Sequence, residues 1–181
     1  MSVRDGRYSK DGWNHFGPGY FELDQNSGTL TSSGGMGLFW YTVKKYTDFI
    51  LEIDYKCLAE KTNSGIFLRV PGVPFSNGYI NHAFEIQIDD FNTGIHHSGA
   101  VYDAEPPRVN AEKETGEWNH MKITCVGDNI KIELNGTDVI NWKMEPRGKI
   151  RDFARVGYIG LQNHDSNAKV SFKNVYIKEL E

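Results

Sequence analysis

The sequence has little cysteine, no long apolar run and no signal-like start. Its 181 residues include only Cys57 and Cys125, both in the apolar phase of predicted strands. We expect buried thiols, with a disulfide between adjacent strands as the alternative. No stretch approaches the length of a membrane span, and residues 1–5 lack an apolar signal segment. These features predict a cytoplasmic protein, or a periplasmic or secreted one if a signal peptide was removed.

The chain also lacks an excess of positive charge and several well-known motifs. Its net charge is -4 and its pI is near 5.9, so neither nucleic acid nor an anionic membrane is an expected partner. It has no nucleophile elbow, phosphate-binding glycine loop or calcium loop, which argues against serine hydrolysis and phosphoryl transfer. His82, His96 and His97 lack the spacing of zinc ligands.

Apolar residues are plentiful, although no long segment carries a helical stripe. Hydrophobic residues make up 39% of the chain, aromatic residues 13%, and there are 19 glycines. This composition favours a single all-β domain over residues 1–181, with two packed antiparallel sheets. Predicted strands cover residues 29–31, 39–41, 49–58, 64–70, 83–89, 99–102, 119–126, 129–134, 137–141, 158–163 and 169–179.

Two local patterns add detail to the C-terminal half. Turns at residues 127–129 and 135–136 predict a three-stranded meander over 119–141 with one buried face. In the last strand the apolar side chains change from even-numbered to odd-numbered positions, which predicts a bulge near Lys173 and Asn174.

The strand over residues 83–89 is the most informative segment for function. Glu85, Gln87 and Asp89 share one face, while the residues between them are apolar. This alternation puts one side in a core and the other towards water or a ligand. Same-face side chains roughly 7 Å apart can reach different atoms of one sugar ring.

Two further segments supply polar side chains. Asn63 and Arg69 are predicted on one face of their strand, where Arg69 would bind a sugar oxygen or form a salt bridge with Glu85 or Asp89. Gln162 and His164 end a later strand. A histidine at such a strand end can carry protons, with a turn-stabilising role as the alternative.

Aromatic side chains could form stacking platforms for a sugar. Trp40, Tyr41, Tyr79 and Tyr102 are the candidates, whereas Trp13, Trp118 and Trp142 are predicted to pack in the core or at edges.

An ordered set of blocks resembles the 3-keto-disaccharide hydrolase domain family. The blocks are residues 37–40, 46–49, 63–69, 78, 84–89, 99–102, 116–119, 134–136, 159–164 and 172–175. The resemblance implies a concanavalin A-like jelly-roll sandwich. It also implies action on glycosides already oxidised at carbon 3, as a lyase that yields a 3-keto-2-hydroxy-glucal, as a hydratase of that product, or as both.

The resemblance also suggests roles for residues. Glu85 or Asp89 is expected to be the base and His164 the acid or its partner, with the two roles not assigned. Asn63, Arg69, Gln87, Gln162, Trp40 and Tyr102 are expected to bind substrate. Lys113 lies where the family often has a lysine, and a solvated lysine is the alternative.

The sequence is also compatible with other functions. A non-catalytic carbohydrate-binding module would use the same sandwich, since fold alone does not fix activity. A purely structural accessory domain is a third possibility. No cofactor is predicted firmly, but Asp89, Asp90 and Asp165 could bind calcium or another divalent ion through oxygen ligands. Neither the aglycone nor the oligomeric state follows from the sequence.

Overall fold

Alternating apolar and polar residues, separated by short turns, build a protein made almost entirely of strands. The computed structural model describes residues 1–180. Two short 3₁₀ helices, Asn77–Asn81 and Gly94–His96, lie between strands. No helix within the described residues is long and apolar enough to cross a membrane. The strands are β1 Ser2–Arg4, β2 Arg7–Ser9, β3 Trp13–Phe16, β4 Tyr20–Asp24, β5 Thr29–Ser33, β6 Gly37–Tyr41, β7 Phe49–Cys57, β8 Asn63–Val70, β9 Phe84–Asp89, β10 Asn119–Val126, β11 Asn129–Leu134, β12 Thr137–Lys143, β13 Tyr158–Asn163 and β14 Val170–Glu179.

The strands form two antiparallel sheets and a small hairpin. The larger sheet has seven strands in the order β12-β11-β10-β7-β14-β5-β4, and the smaller has five in the order β3-β6-β13-β8-β9. Strands β1 and β2 pair only with each other. The predicted two-sheet antiparallel jelly-roll sandwich is confirmed.

The main core lies between the two sheets and follows from the two-residue period of the strands. In β7 every second side chain, from Phe49 to Cys57, is buried, and those between are half-buried. Ile66 of β8 and Ile86 of β9 enter the same core from the other sheet. Burial of each such aliphatic side chain contributes roughly 2 kcal/mol, so the alternation holds the sheets face to face.

The local predictions for the C-terminal half are confirmed. Strands β10, β11 and β12 form the meander, and its inward side chains are buried. The pairing of β14 with β7 shifts register between Lys173 and Tyr176, and Asn174 has φ 51°, so the bulge is present. Both cysteines are free buried thiols.

The predicted strand over residues 99–102 is wrong as a strand, yet the segment does pair with β9. Val101 forms an isolated bridge with Ile86. The chain turns immediately afterwards, with Asp103 at φ 58°, so the ladder cannot extend. Even so, the backbone N–H of Tyr102 donates to the Glu85 carbonyl over 2.9 Å. The segment therefore covers the β9 edge and brings Tyr102 beside Glu85.

The outer face of the five-stranded sheet is covered rather than open to water. Leu38, Trp40 and Phe67 project from it into a second apolar cluster. Tyr79 and Ala83, from the segment between β8 and β9, close over that cluster. The polar row of β9 is buried as well.

Candidate active site

The polar row of β9 is buried. Glu85, Gln87 and Asp89 alternate with core residues as predicted, and they are 6%, 1% and 2% exposed. A buried polar side chain costs free energy unless it is hydrogen-bonded, so such a row needs an explanation.

A small pocket of about 80 Å³ opens over this row. It brings together side chains from six separate parts of the chain. The predicted residues that line it are Asn63, Glu85, Gln87, Tyr102, Gln162 and His164, and they are joined by Met36, Ile80 and Lys149.

Glu85 is the most unusual group in the pocket. Its side chain lies over Gly65 of the neighbouring strand β8, where an added Cβ would be 2.7 Å from its Cγ and 2.9 Å from its Cδ. Burial raises the pKa of Glu85 to about 8, although the charge of Lys149 and a hydrogen bond with Gln162 act to lower it. At neutral pH the carboxyl group is therefore mostly protonated and able to donate a proton.

Lys149 lies beside Tyr102 at the pocket. Its Nζ donates a hydrogen bond of 2.9 Å to the Tyr102 hydroxyl and lies 4.6 Å from the ring centroid. This hydrogen bond raises the pKa of Lys149, so the ammonium group stays charged. Sequence reasoning missed Lys149 because it lies in a turn without periodicity. The glycine that precedes Lys149 was the one sequence signal of a tight turn there. Gly148 has φ 56° and lets the turn approach the backbone of Asp103.

His164 is oriented by its neighbour. Its Nδ1 is 2.8 Å from Oδ2 of Asp165, and this contact is the main cause that lowers the pKa of Asp165. Oδ1 of Asp165 accepts the backbone N–H groups of Asn167 and Ala168. The carboxylate is thus held in place, and Nδ1 of His164 is engaged. Nε2 is then the ring nitrogen that can contact a ligand or accept a proton from it.

Two buried amide oxygens in the pocket have no hydrogen-bond partner among residues 1–180. They are Oε1 of Gln87 and Oε1 of Gln162. Nε2 of Gln87 donates over 3.4 Å to Oδ1 of Asn63, whose own amide donates to Asp89. A buried acceptor without a partner costs about 1–3 kcal/mol, which a hydroxyl-rich ligand would recover.

The family model for the 3-keto-alpha-glucoside-1,2-lyase-like domain matches residues 2–178, nearly the whole chain. The protein belongs to this family. The predicted resemblance is confirmed, and the chain is a carbohydrate-active, glycosyl hydrolase-like domain.

Several solved structures have the same architecture. A protein from Parabacteroides distasonis, provisionally named a glycosyl hydrolase, has a TM-score of 0.78 at 25% identity over 94% of each chain. A second one from that organism has a TM-score of 0.78 at 22% identity, covering 94% of this chain and 89% of the other. A carbohydrate-binding module from Bacillus subtilis has a TM-score of 0.63 at 18% identity, covering 93% and 96%. The latter two likenesses show the fold alone. A search of curated proteins found no significant match.

Within this lyase-like domain, Asp89 is in the polar row but not at the pocket. Its carboxylate accepts hydrogen bonds from the backbone of Phe91 and Asn92 and from the side chains of Asn92 and Asn63. These bonds hold the turn after β9. Asp89 is therefore engaged structurally, and the expectation that it competes with Glu85 as the reacting carboxylate does not fit its surroundings.

The structure places Arg69 away from the pocket, in contrast to the predicted shared face with Asn63. Arg69 has φ 56°, and this left-handed residue breaks the alternation at the end of β8. Its buried guanidinium donates to the carbonyls of Thr47 and Gly127 and pairs with Asp48 at 3.3 Å. Arg69 ties loops at one end of the sandwich together.

Two other predicted substrate-binding residues lie elsewhere. Trp40 packs in the second apolar cluster, 4% exposed, and does not line the pocket. The Lys113 Nζ donates to the Trp118 carbonyl over 3.0 Å, and Lys113 borders a separate cleft with Asp90 and Glu112. The long loop that carries Lys113 therefore does not bring it to Glu85.

No group of three or more His, Cys, Asp or Glu side chains within residues 1–180 is arranged to hold a metal ion. The oxygens of Asp89 are occupied as described above. Those of Asp165 serve His164 and a turn.

Proposed function

We propose that the domain is a lyase for 3-keto-α-glucosides that removes the proton on carbon 2 and expels the glycosidic oxygen from carbon 1. The observation that carries this proposal is the grouping of a buried carboxyl, a cation and an oriented imidazole around one small pocket. The family description supports the substrate class.

The reaction needs a base, an acid and a stabiliser of negative charge. The carbonyl at carbon 3 acidifies the proton on carbon 2, so a base can take it and leave an enolate. When the enolate reforms the carbonyl, a double bond forms between carbons 1 and 2 and the bond from carbon 1 to the glycosidic oxygen breaks. The departing oxygen takes a proton from the acid. The products are a 3-keto-2-hydroxy-glucal and the free alcohol.

His164 is the proposed base. Asp165 holds Nδ1, which leaves Nε2 to accept the carbon 2 proton, as in other His–carboxylate pairs. Glu85 is the proposed acid, because its raised pKa of about 8 keeps the carboxyl protonated at neutral pH. Two carboxyl environments in one site thus support opposite roles: Asp165 stays charged, whereas Glu85 stays neutral.

Lys149 is the proposed stabiliser of the enolate. Its ammonium group borders the pocket and is held on the Tyr102 hydroxyl. Lys149 is itself exposed, so it acts as a positioned cation at the edge of the pocket, where it stabilises developing negative charge. The unpaired amide oxygens of Gln87 and Gln162 would accept hydrogen bonds from sugar hydroxyls. The same groups working in the opposite sense would add water to the glucal, which gives net hydrolysis.

Incubation with a 3-keto-α-glucoside, followed by product analysis, tests the proposal. The Glu85→Gln variant should lose about 10²- to 10⁴-fold in turnover, as expected for loss of a general acid. Asp89→Asn is the matched control on the same strand and should lose far less. If wild type and Glu85→Gln turned over equally, Glu85 would not be catalytic. If the protein bound the sugar without any turnover, a carbohydrate-binding module would be the correct description.

A further inference from the structure

A larger groove lies on the other side of the wall that closes the pocket. It has a volume of about 550 Å³ and is lined by the segment that follows β8, chiefly Val73, Pro74, Phe75, Tyr79 and His82. The Phe75 side chain is 90% exposed and Val73 is 65% exposed. Large apolar side chains this exposed, grouped around a groove, mark a binding surface more often than a random feature.

The groove and the pocket share one wall, the 3₁₀ helix Asn77–Asn81. Ile80 of this helix lines the pocket, and Tyr79 lines the groove. Burial is the main cause that raises the pKa of Tyr79, and the charge of Glu85 adds to it. Asn77 contacts the sulfur of Met36, another pocket residue, over 3.2 Å. A ligand whose reacting part fills the pocket would reach the groove by passing over this short helix.

The chemistry of the groove differs from that of the pocket. Two of its polar groups have partners, since Ser76 Oγ accepts the Gly78 N–H and His82 Nδ1 pairs with Asp152, whereas the buried Tyr79 hydroxyl has none within the described residues. The pocket, in contrast, offers unpaired amide oxygens that suit sugar hydroxyls. The part of the groove formed by Val73, Pro74 and Phe75 therefore fits an apolar, planar group better than a second sugar.

Phe75 also differs from the other exposed phenylalanine near β9. Phe91 is 60% exposed, but the Lys61 ammonium lies 5.0 Å from its ring centroid. No aromatic or cation contact of this kind involves Phe75 among the residues that the structure describes. An aromatic ligand would supply that contact.

We propose that this groove binds the aromatic aglycone of the substrate, with Phe75 as its stacking platform. The inference rests on the proposed lyase function, since it assigns the second half of the same substrate. Phe75 is thus a specificity-determining residue that touches the leaving group.

The test compares phenyl and methyl 3-keto-α-glucosides as substrates for three proteins: wild type, Phe75→Ala and the matched control Phe91→Ala. Stacking on one ring contributes about 0.5–1.5 kcal/mol, so Phe75→Ala should lower kcat/KM for the phenyl substrate by about two- to tenfold. The methyl substrate should be unaffected, and Phe91→Ala should match wild type on both. An equal effect on both substrates, or none on either, would overturn the proposal. So would a Phe75-dependent preference for a 3-keto-disaccharide over the phenyl compound.

A binding measurement separates failure of this inference from failure of the lyase proposal. The unoxidised phenyl and methyl α-glucosides are titrated into the same three proteins, and affinity is measured by calorimetry. Tighter binding of the phenyl compound, lost in Phe75→Ala only, supports the groove even if no substrate is turned over. Equal binding of both compounds to wild type contradicts the groove even if the lyase activity is present.

Discussion

Gly65 lies directly beneath the carboxyl-bearing side chain of Glu85, and any Cβ at that position would be within 2.9 Å of the Glu85 Cδ. The close approach links two neighbouring strands, because Gly65 belongs to β8 and Glu85 to β9. A glycine in a strand interior weakens the strand unless something needs the room. Here the room is taken by the proposed catalytic acid.

The first prediction concerns this contact. Gly65→Ala should push the Glu85 side chain from its position and lower turnover of a 3-keto-α-glucoside by more than tenfold, because small misplacements of a catalytic group are costly. Thermal unfolding should show that the Gly65→Ala variant is folded. Gly72→Ala is a suitable control, since nothing lies within 4 Å of a Cβ there. Full activity in Gly65→Ala would mean that the Glu85 position does not matter.

The second prediction concerns stability and pH. The folded-state pKa of Glu85 is raised from 4.5 to about 8. The favourable contribution of this group to the free energy of unfolding is therefore fully present below pH 4.5 and is lost as the pH rises towards 8. Glu85→Gln does not titrate. Its free energy of unfolding, relative to wild type, should therefore increase between these pH values by about 1.4 kcal/mol per pH unit at most. Chemical denaturation across this range measures the difference, and a constant difference would contradict the raised pKa.

The third prediction concerns the rate and pH. Because Glu85 is proposed to donate a proton, kcat/KM should fall as pH rises through about 8, when the carboxyl ionises. Lys149 does not interfere, since its pKa is raised from 10.5. A rate that instead rises through this range would make Glu85 the base and reverse the proposed roles.

The fold was largely predictable, for reasons visible in particular strands. Strands β7 and β10 have two-residue alternation over eight or more residues, so their type and buried face follow from the pattern. Strands β1 to β4 were missed because they are short and only partly buried. Arg69 was misplaced because a single left-handed residue reverses the face, and alternation cannot foresee it.

The candidate site was predictable only where strands carried it. Glu85 and Gln87 follow from alternation, and Gln162 follows from its position near the end of β13. Lys149 lies in a turn whose position depends on distant contacts, such as Arg147 with Glu105. No local pattern encodes that kind of placement.

The fourth prediction separates Arg69 from the site. Arg69→Met should destabilise the fold by roughly 3 kcal/mol, because it removes a buried cation that pairs with Asp48 and donates to the carbonyls of Thr47 and Gly127. The activity of the folded protein should be nearly unchanged. Arg155→Met, which removes an exposed pair with Asp128, should cost no more than about 1 kcal/mol. A large loss of activity in the folded Arg69→Met protein would show that Arg69 contributes to the active site.

The fifth prediction concerns Lys149. Lys149→Met should lower kcat by about 10²- to 10³-fold, as for loss of one group that stabilises an oxyanion. Lys131→Met removes a surface lysine that pairs with Asp138 and should have no such effect. Steady-state kinetics measures both. Equal activity of the two variants would exclude Lys149 as the enolate stabiliser.

The fate of the hydrogen on carbon 2 tests the central claim most directly. A 3-keto-α-glucoside carrying deuterium at carbon 2 is incubated with the protein in ordinary water, and the sugar product is analysed by mass spectrometry. Elimination initiated by His164 predicts that the deuterium is lost to solvent as the aglycone leaves. A His164→Ala variant should release neither the deuterium nor the aglycone. A released sugar that keeps its deuterium at carbon 2 would show direct hydrolysis and contradict the proposed mechanism.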